Sequence, residues 1–297
     1  MSILVEKGGM IAIPAGRVLF GSSEQHLDDV GASQHYKREW FEDEAPQHYA
    51  EVDSFWIDPH LVTNADYLAF TEATGYQTEA EVRGFGLLYG ATYWDEVDGV
   101  CWRRPGSADD SIDDRLDHPA VHIAYADAVA YATWAGKRLP TEPEWEYAAH
   151  GPEWRCWPWG DEWDYTIVNC AEHWYGAPIT EFKAWHAWWG KHRETSGGRL
   201  CTTPVGKFSP ASDSPFGLAD MAGNVSEWTG SLYELYDPGR RYHETYERAA
   251  GKYRVLRGGS WMNFKYQMRT SERFASDPAY SSISIGFRCA SSDAPGG

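Results

Sequence analysis

A chain of 297 residues that is 42% hydrophobic can bury the core of one large domain or of two small ones. Its formal charge of −18 argues against nucleic acid and anionic membrane surfaces as partners, because such a field repels them. The opening stretch MSILVEKGGMIAIPAG holds no apolar run long enough for a signal peptide or a membrane span, which predicts a cytoplasmic, bacterial-type protein.

In chain order, Met10–Gly21 alternates loosely and turns at Pro14–Gly16, the pattern of a strand pair. Val52–Ile57 reads as another short strand. Thr63 and Asp66 form a capping box that opens a helix through Tyr67, Leu68 and Phe70, stopped at Gly75. Asp127–Ala135 places Val129, Ala130, Thr133 and Trp134 at helical spacing before Gly136. A second capping box, Thr141 with Glu144, opens Glu142–Ala149 and tolerates Pro143 in its first turn. About nine residues do not hold a helix in water, so this one requires a tertiary partner. Beyond Gly151 the chain is loop-rich, with short β segments near Arg254–Arg257 and Gly286–Ala290. There is no internal repeat and no linker. Few helices and many long connections predict an irregular α+β domain over 1–297.

Sixteen Trp and eighteen Tyr exceed what core filling needs, so some are expected to line a cleft. The segment Glu172–Arg193 concentrates Trp174, Tyr175, Trp185, Trp188 and Trp189. Trp185, Trp188 and Trp189 share one helix face, which either packs on the domain or walls a pocket. His173, His186 and His192 lie in the same segment, but no H-x-H or HExxH pattern marks a metal site. His118 and His122 are separated by Pro119 and read as hydrogen-bonding core residues. Five cysteines show no CxxC pair. No phosphate loop, nucleophile elbow or zinc ribbon is present.

Three segments carry more specific information: LPTEPEWEYAA (Leu139–Ala149), GLADMAGNVSEWTG (Gly217–Gly230) and Val255–Ala290, which begins VLRGGSWMNFKYQMRTSERF and ends SIGFRCA. Together they resemble the sulfatase-modifying-factor family, whose type member is the formylglycine-generating enzyme. The resemblance continues through IPAG, EDEAPQHYAEVDSFWID, TNADYLAF, GYQTEAE, DHPAVH and PWGDE, and so covers almost the whole chain. It implies a variant of the C-type-lectin-like fold. In the type member the frame reads G-G-S-x-x-C-x-x-x-x-C, and two thiolates bind a copper ion that activates oxygen. Gly258, Gly259 and Ser260 are in place here, but Asn263 and Met268 stand at the cysteine positions. An amide and a thioether supply neither the charge nor the nucleophile of a thiolate pair, so copper at this site and formylglycine generation are not expected.

The resemblance also implies where a rebuilt pocket would lie. Ser260, Asn263 and Arg269 are candidate catalytic residues. Trp261, Met268, Arg273, Ser226, Trp188 and Trp189 are candidates for substrate binding, with Ser226 at a position where the oxidase has Trp. Arginine forks at Arg269 and Arg273 suit the carboxylate of a peptide or amino-acid-like substrate; alternatively, Arg273 locks the fold by pairing with a buried carboxylate such as Glu227. Asp220 and Glu227, with the backbone carbonyls of Gly223 and Val225, match the family's calcium ligands. Asn169 matches one ligand of a second calcium site, whose other stretch, Ser196–Arg199, lacks the expected Asp. Cys289 matches one end of a family disulfide whose partner position is Ala132, and this loss suits a reducing compartment. The expected function is an oxidoreductase-type tailoring enzyme acting on a peptide or amino-acid-derived substrate, its redox metal unspecified. The alternative is a non-catalytic paralogue that binds a peptide or modulates an active enzyme.

Overall fold

A computed structural model describes residues 6–33, 36–91, 93–196 and 201–294. Short strands and helices alternate with long connections in an α+β arrangement. One antiparallel sheet runs in the order Glu6–Lys7, Met10–Ile13, Phe55–Ile57, Ala290–Ser291. A second runs Arg273–Ser276, Arg254–Arg257, Ser226–Leu232, Ile285–Gly286, with its last pair parallel. Two antiparallel strand pairs complete the β structure among the described residues: Gly16–Phe20 with His48–Val52, and the hairpin of Phe85–Tyr89 with Trp94–Asp98.

The predicted capping boxes form as expected. Thr63 accepts from the Asp66 N–H while the Asp66 carboxylate accepts from Thr63 N (3.0 Å), and the helix Asn64–Thr74 closes on left-handed Gly75. Thr141 and Glu144 cap Glu142–His150 in the same way. Each such cap contributes about 1 kcal/mol. The tertiary partner that this second helix requires is the core itself: Trp145, Tyr147, Ala148 and Ala149 are all buried, against Ile13, Val18, Phe55 and Met221. The remaining predicted helix is observed as Tyr125–Trp134.

Two strand expectations need correction. Met10–Ile13 and Gly16–Phe20 are both strands, but they do not pair with each other. The first joins the sheet of Phe55–Ile57 and the second pairs with His48–Val52. Val52–Ile57 likewise divides between two sheets, with exposed Asp53 and Ser54 between them. In both cases a turn switches the chain from one sheet to another, and alternation alone cannot distinguish a switch from a hairpin. The helix Glu24–Ala32, the hairpin at 85–98 and the strand Ser226–Leu232 carried no sequence signal strong enough to predict.

Among the described residues no helix is long and apolar enough to cross a membrane.

Candidate functional site

A glycine pair sets the site. Gly258 and Gly259 both have left-handed backbones (φ 85° and 65°), which side chains other than glycine's rarely adopt. A Cβ on Gly259 would stand 2.5 Å from the Gln267 carbonyl. The chain therefore doubles back tightly after the strand Arg254–Arg257, and Ser260–Gln267 forms the floor of a groove of about 570 Å³.

Four other parts of the chain wall this groove. The strand Arg273–Ser276 contributes Phe274 and Ser276, and the segment after it contributes Tyr280, Ser282 and Ser284. The hairpin at 85–98 contributes Tyr89, Tyr93 and Trp94. Phe182, Trp185 and His186 come from the first turns of the helix Phe182–Ser196. Ser226 opens the strand Ser226–Leu232, and its N–H donates to the Ser284 carbonyl (2.8 Å). A serine here leaves open the space that a tryptophan would fill.

The aromatic insert is thus partly a wall. Trp185 Nε1 donates to the Met262 carbonyl (2.8 Å), and Trp189 Nε1 donates to the carbonyls of Tyr89 (3.1 Å) and Gly90 (2.9 Å). These bonds fasten one helix to both the floor and the hairpin. Trp188 and Trp189 themselves are buried behind the wall and do not line the groove, contrary to their assignment as substrate contacts. Trp188 stacks on His192, whose Nε2 lies 3.3 Å from Cys201 Sγ.

Of the remaining candidates, Ser260, Asn263 and Ser226 meet in the groove. Asn263 Oδ1 accepts from Ser260 N (2.9 Å) and Ser260 Oγ (2.8 Å), which fixes the amide. Trp261 is fully buried, donating to the Ile283 carbonyl (3.3 Å) and packing on Trp189. Met268 is also fully buried, packed with Val168, Cys170 and Ala222 rather than facing the groove. The two cysteine positions of the frame therefore differ: Asn263 faces the groove, while Met268 is a core residue.

The arginines need a larger correction. Arg269 makes a bidentate pair with Glu44 (2.7 and 2.6 Å), and both residues are fully buried. Arg273 is bidentate to Glu142 (2.8 and 2.7 Å) and donates to the Glu234 carbonyl (2.9 Å). Arg257 pairs with Glu146, and Arg288 with Glu227 (2.7 and 2.9 Å). Glu227 is thus the partner of Arg288, not of Arg273. Sequence spacing showed the cations but not Glu44 or Glu142, which lie more than a hundred residues away. Neither Arg269 nor Arg273 is available to a substrate carboxylate.

The acid at the groove is one that the sequence reading missed. Glu272 lines the cavity, and among the described residues its carboxylate has no hydrogen-bond partner. Burial and the neighbouring Glu44 push it up to about 8, against the opposing pull of Arg269 and Arg257. Inside S-E-R-F it belongs to no motif or spacing that marks a functional acid.

The sulfatase-modifying factor enzyme 1-like domain matches residues 4–293. The chain belongs to this family. The formylglycine-generating enzyme of Mus musculus is 33% identical over 308 residues, covering 96% of this chain and 76% of the mouse protein. The inactive C-alpha-formylglycine-generating enzyme 2 of Bos taurus is 30% identical over 305 residues, covering 95% of this chain and 87% of the bovine protein. Among solved structures, PvdO from Pseudomonas aeruginosa superimposes with a TM-score of 0.61 at 24% identity, covering 96% of this chain and 94% of that one. The shared architecture is a variant of the C-type-lectin-like fold.

The metal ligands of the family can be tested on the residues present. Copper needs two thiolates; the groove offers Asn263, and Met268 is packed elsewhere. For calcium, both oxygens of Glu227 are held by Arg288, and Asp220 Oδ2 accepts from Gly206 N (2.7 Å). Asn169 donates to the Cys201 carbonyl (2.8 Å) and accepts from Trp174 Nε1 (2.7 Å). In this arrangement Arg288 occupies both oxygens of Glu227, so that residue could ligate calcium only by giving up its ion pair. The 197–200 part of the second calcium stretch lies outside the described residues. His118 and His122 are bonded to Thr202 Oγ1 (3.0 Å) and the Pro105 carbonyl (2.9 Å), as hydrogen-bonding residues.

Proposed function

We propose that this protein is a diverged tailoring enzyme of the oxidoreductase type, which binds a peptide or amino-acid-derived substrate in the groove above Ser260 and Asn263. The observation that carries this reading is the persistence of the groove without its thiols. The glycine turn, Ser260 and an aromatic wall are kept, while the cysteine position facing the groove is Asn263 and the Ser226 position is opened. A damaged site has no reason to keep 570 Å³ of lined space, whereas a repurposed one does. Asn263, held by Ser260, presents a fixed amide for orienting a polar group of the substrate. The five cysteines are free and buried, which suits the reducing cytoplasm.

A second reading has its own support. Among the described residues the groove holds no thiol, and a relative in the family is named as inactive, so a paralogue that binds a peptide without reacting fits the same cavity. The two readings separate in one experiment. Protein purified without chelator is assayed for bound redox metals and calcium, then for oxygen uptake with amino-acid-derived and peptide substrates. Redox metal near one equivalent with substrate-dependent uptake supports the enzyme. Ligand binding with neither metal nor uptake supports the paralogue and defeats the enzyme.

A further inference from the structure

Taking the groove as the ligand site, on the reading above, we infer that it receives a cationic group, a primary ammonium held between the Glu272 carboxylate and the aromatic wall. Neither lysine nor arginine is among the described residues lining the groove. Four cations near it are engaged by other groups. Arg269 and Arg273 hold Glu44 and Glu142, and Arg83 donates to Ser281 Oγ (2.8 Å) and the Phe85 carbonyl (2.9 Å). Lys265 turns its ammonium over the Tyr266 ring, 4.7 Å from its centroid. A carboxylate ligand would therefore enter the groove with no lysine or arginine among the described lining residues to meet it.

A cation meets the opposite surroundings. The Glu272 carboxylate lines the cavity with no hydrogen bond to another described residue, and Asp277 stands at the exposed rim. Tyr89, Trp94 and Tyr280 meet edge to face, at 5.3 Å between Tyr89 and Trp94 and 5.9 Å between Trp94 and Tyr280. An edge-to-face contact covers one face of one ring, and bare ring faces attract ammonium groups. The net charge of −18 adds a long-range field of the same sign. Burial and Glu44 already oppose a bare charge on Glu272, so a bound ammonium supplies the counterion that the fold withholds.

Three ligands with one ring and different ends test this: tyramine, tyrosol and 3-(4-hydroxyphenyl)propanoate, measured by calorimetry at low salt. Wild-type protein is expected to prefer tyramine to the propanoate by about tenfold or more, the size of one charge-assisted hydrogen bond. Glu272→Gln should erase most of that preference while leaving tyrosol binding and the melting temperature at neutral pH close to wild type or higher. Equal or tighter binding of the propanoate, or a preference that survives E272Q, overturns the inference. Ser226→Trp, which fills the groove, keeps this failure distinct from failure of the site itself. If tyrosol binds wild type but not S226W and the amine preference is absent, only the cation assignment falls. If tyrosol does not bind, or binds S226W equally, the groove reading falls with it.

Discussion

Arg269 shows how far a residue's type underdetermines its work. A guanidinium in a candidate pocket suggests a substrate carboxylate, yet here its two terminal nitrogens already grip Glu44 at 2.7 and 2.6 Å. Removing one partner of a fully buried pair leaves an uncompensated charge and costs about 3–5 kcal/mol. Arg269→Ala is thus expected to lower the unfolding free energy measured in urea by that margin, and a variant with unchanged stability would contradict the pairing. Glu272 gives the opposite case, a carboxyl without a partner. Its proton affinity is raised in the folded state, to about 8 from the usual 4.5, so the folded chain keeps a proton that the unfolded chain has released. Stability from this group is full below about pH 4.5 and is lost as the pH rises through about 8. Denaturation of wild type and E272Q across pH 5–9 should show the variant gaining relative stability toward the alkaline end. Glu44 and Asp43 raise Glu272, and Arg269 and Arg257 lower it, so these four must stay unchanged in the comparison.

At the scale of elements, what was legible and what was not separate cleanly. The helices Asn64–Thr74 and Glu142–His150 announced themselves through local chemistry, a hydroxyl and a carboxylate three residues apart. The strands Met10–Ile13 and Gly16–Phe20 were also legible as strands, but their partners were not, since pairing depends on residues elsewhere in the chain. The same limit applied at the site. Ser260 and Asn263 could be placed from the glycine frame and Ser226 from the resemblance at Gly217–Gly230, whereas Trp261 and Met268 sit in the glycine frame and turn into the core. The helix Phe182–Ser196 has its own test. Trp189 satisfies two carbonyls of the hairpin turn, at Tyr89 and Gly90. Trp189→Phe removes the donor and part of a buried ring, so a loss of about 1–3 kcal/mol is expected. Hydrogen exchange should rise in the hairpin at 85–98 more than in the sheet at 254–276.

For the whole molecule, the excess of 44 acidic over 26 basic residues sets the long-range behaviour. Self-repulsion opposes compaction, and salt screens it over a Debye length of about 10 Å at 0.1 M. The melting temperature at neutral pH should therefore rise between 20 and 500 mM NaCl, about as a screened acidic surface does. A flat response would mean that the charges are locally compensated.

The sheet that pairs Met10–Ile13 with Phe55–Ile57 is finished only by Ala290–Ser291. In the order of synthesis, its first strand waits for nearly the entire chain before its sheet can close. Contacts of such sequence separation are slow to form and leave apolar faces uncovered meanwhile. A nascent chain halted before Ile285 would lack both late strands, Ile285–Gly286 and Ala290–Ser291, one from each four-stranded sheet. Limited proteolysis of ribosome-bound chains should find the early segment cleavable until residue 291 has left the exit tunnel, and protected soon after.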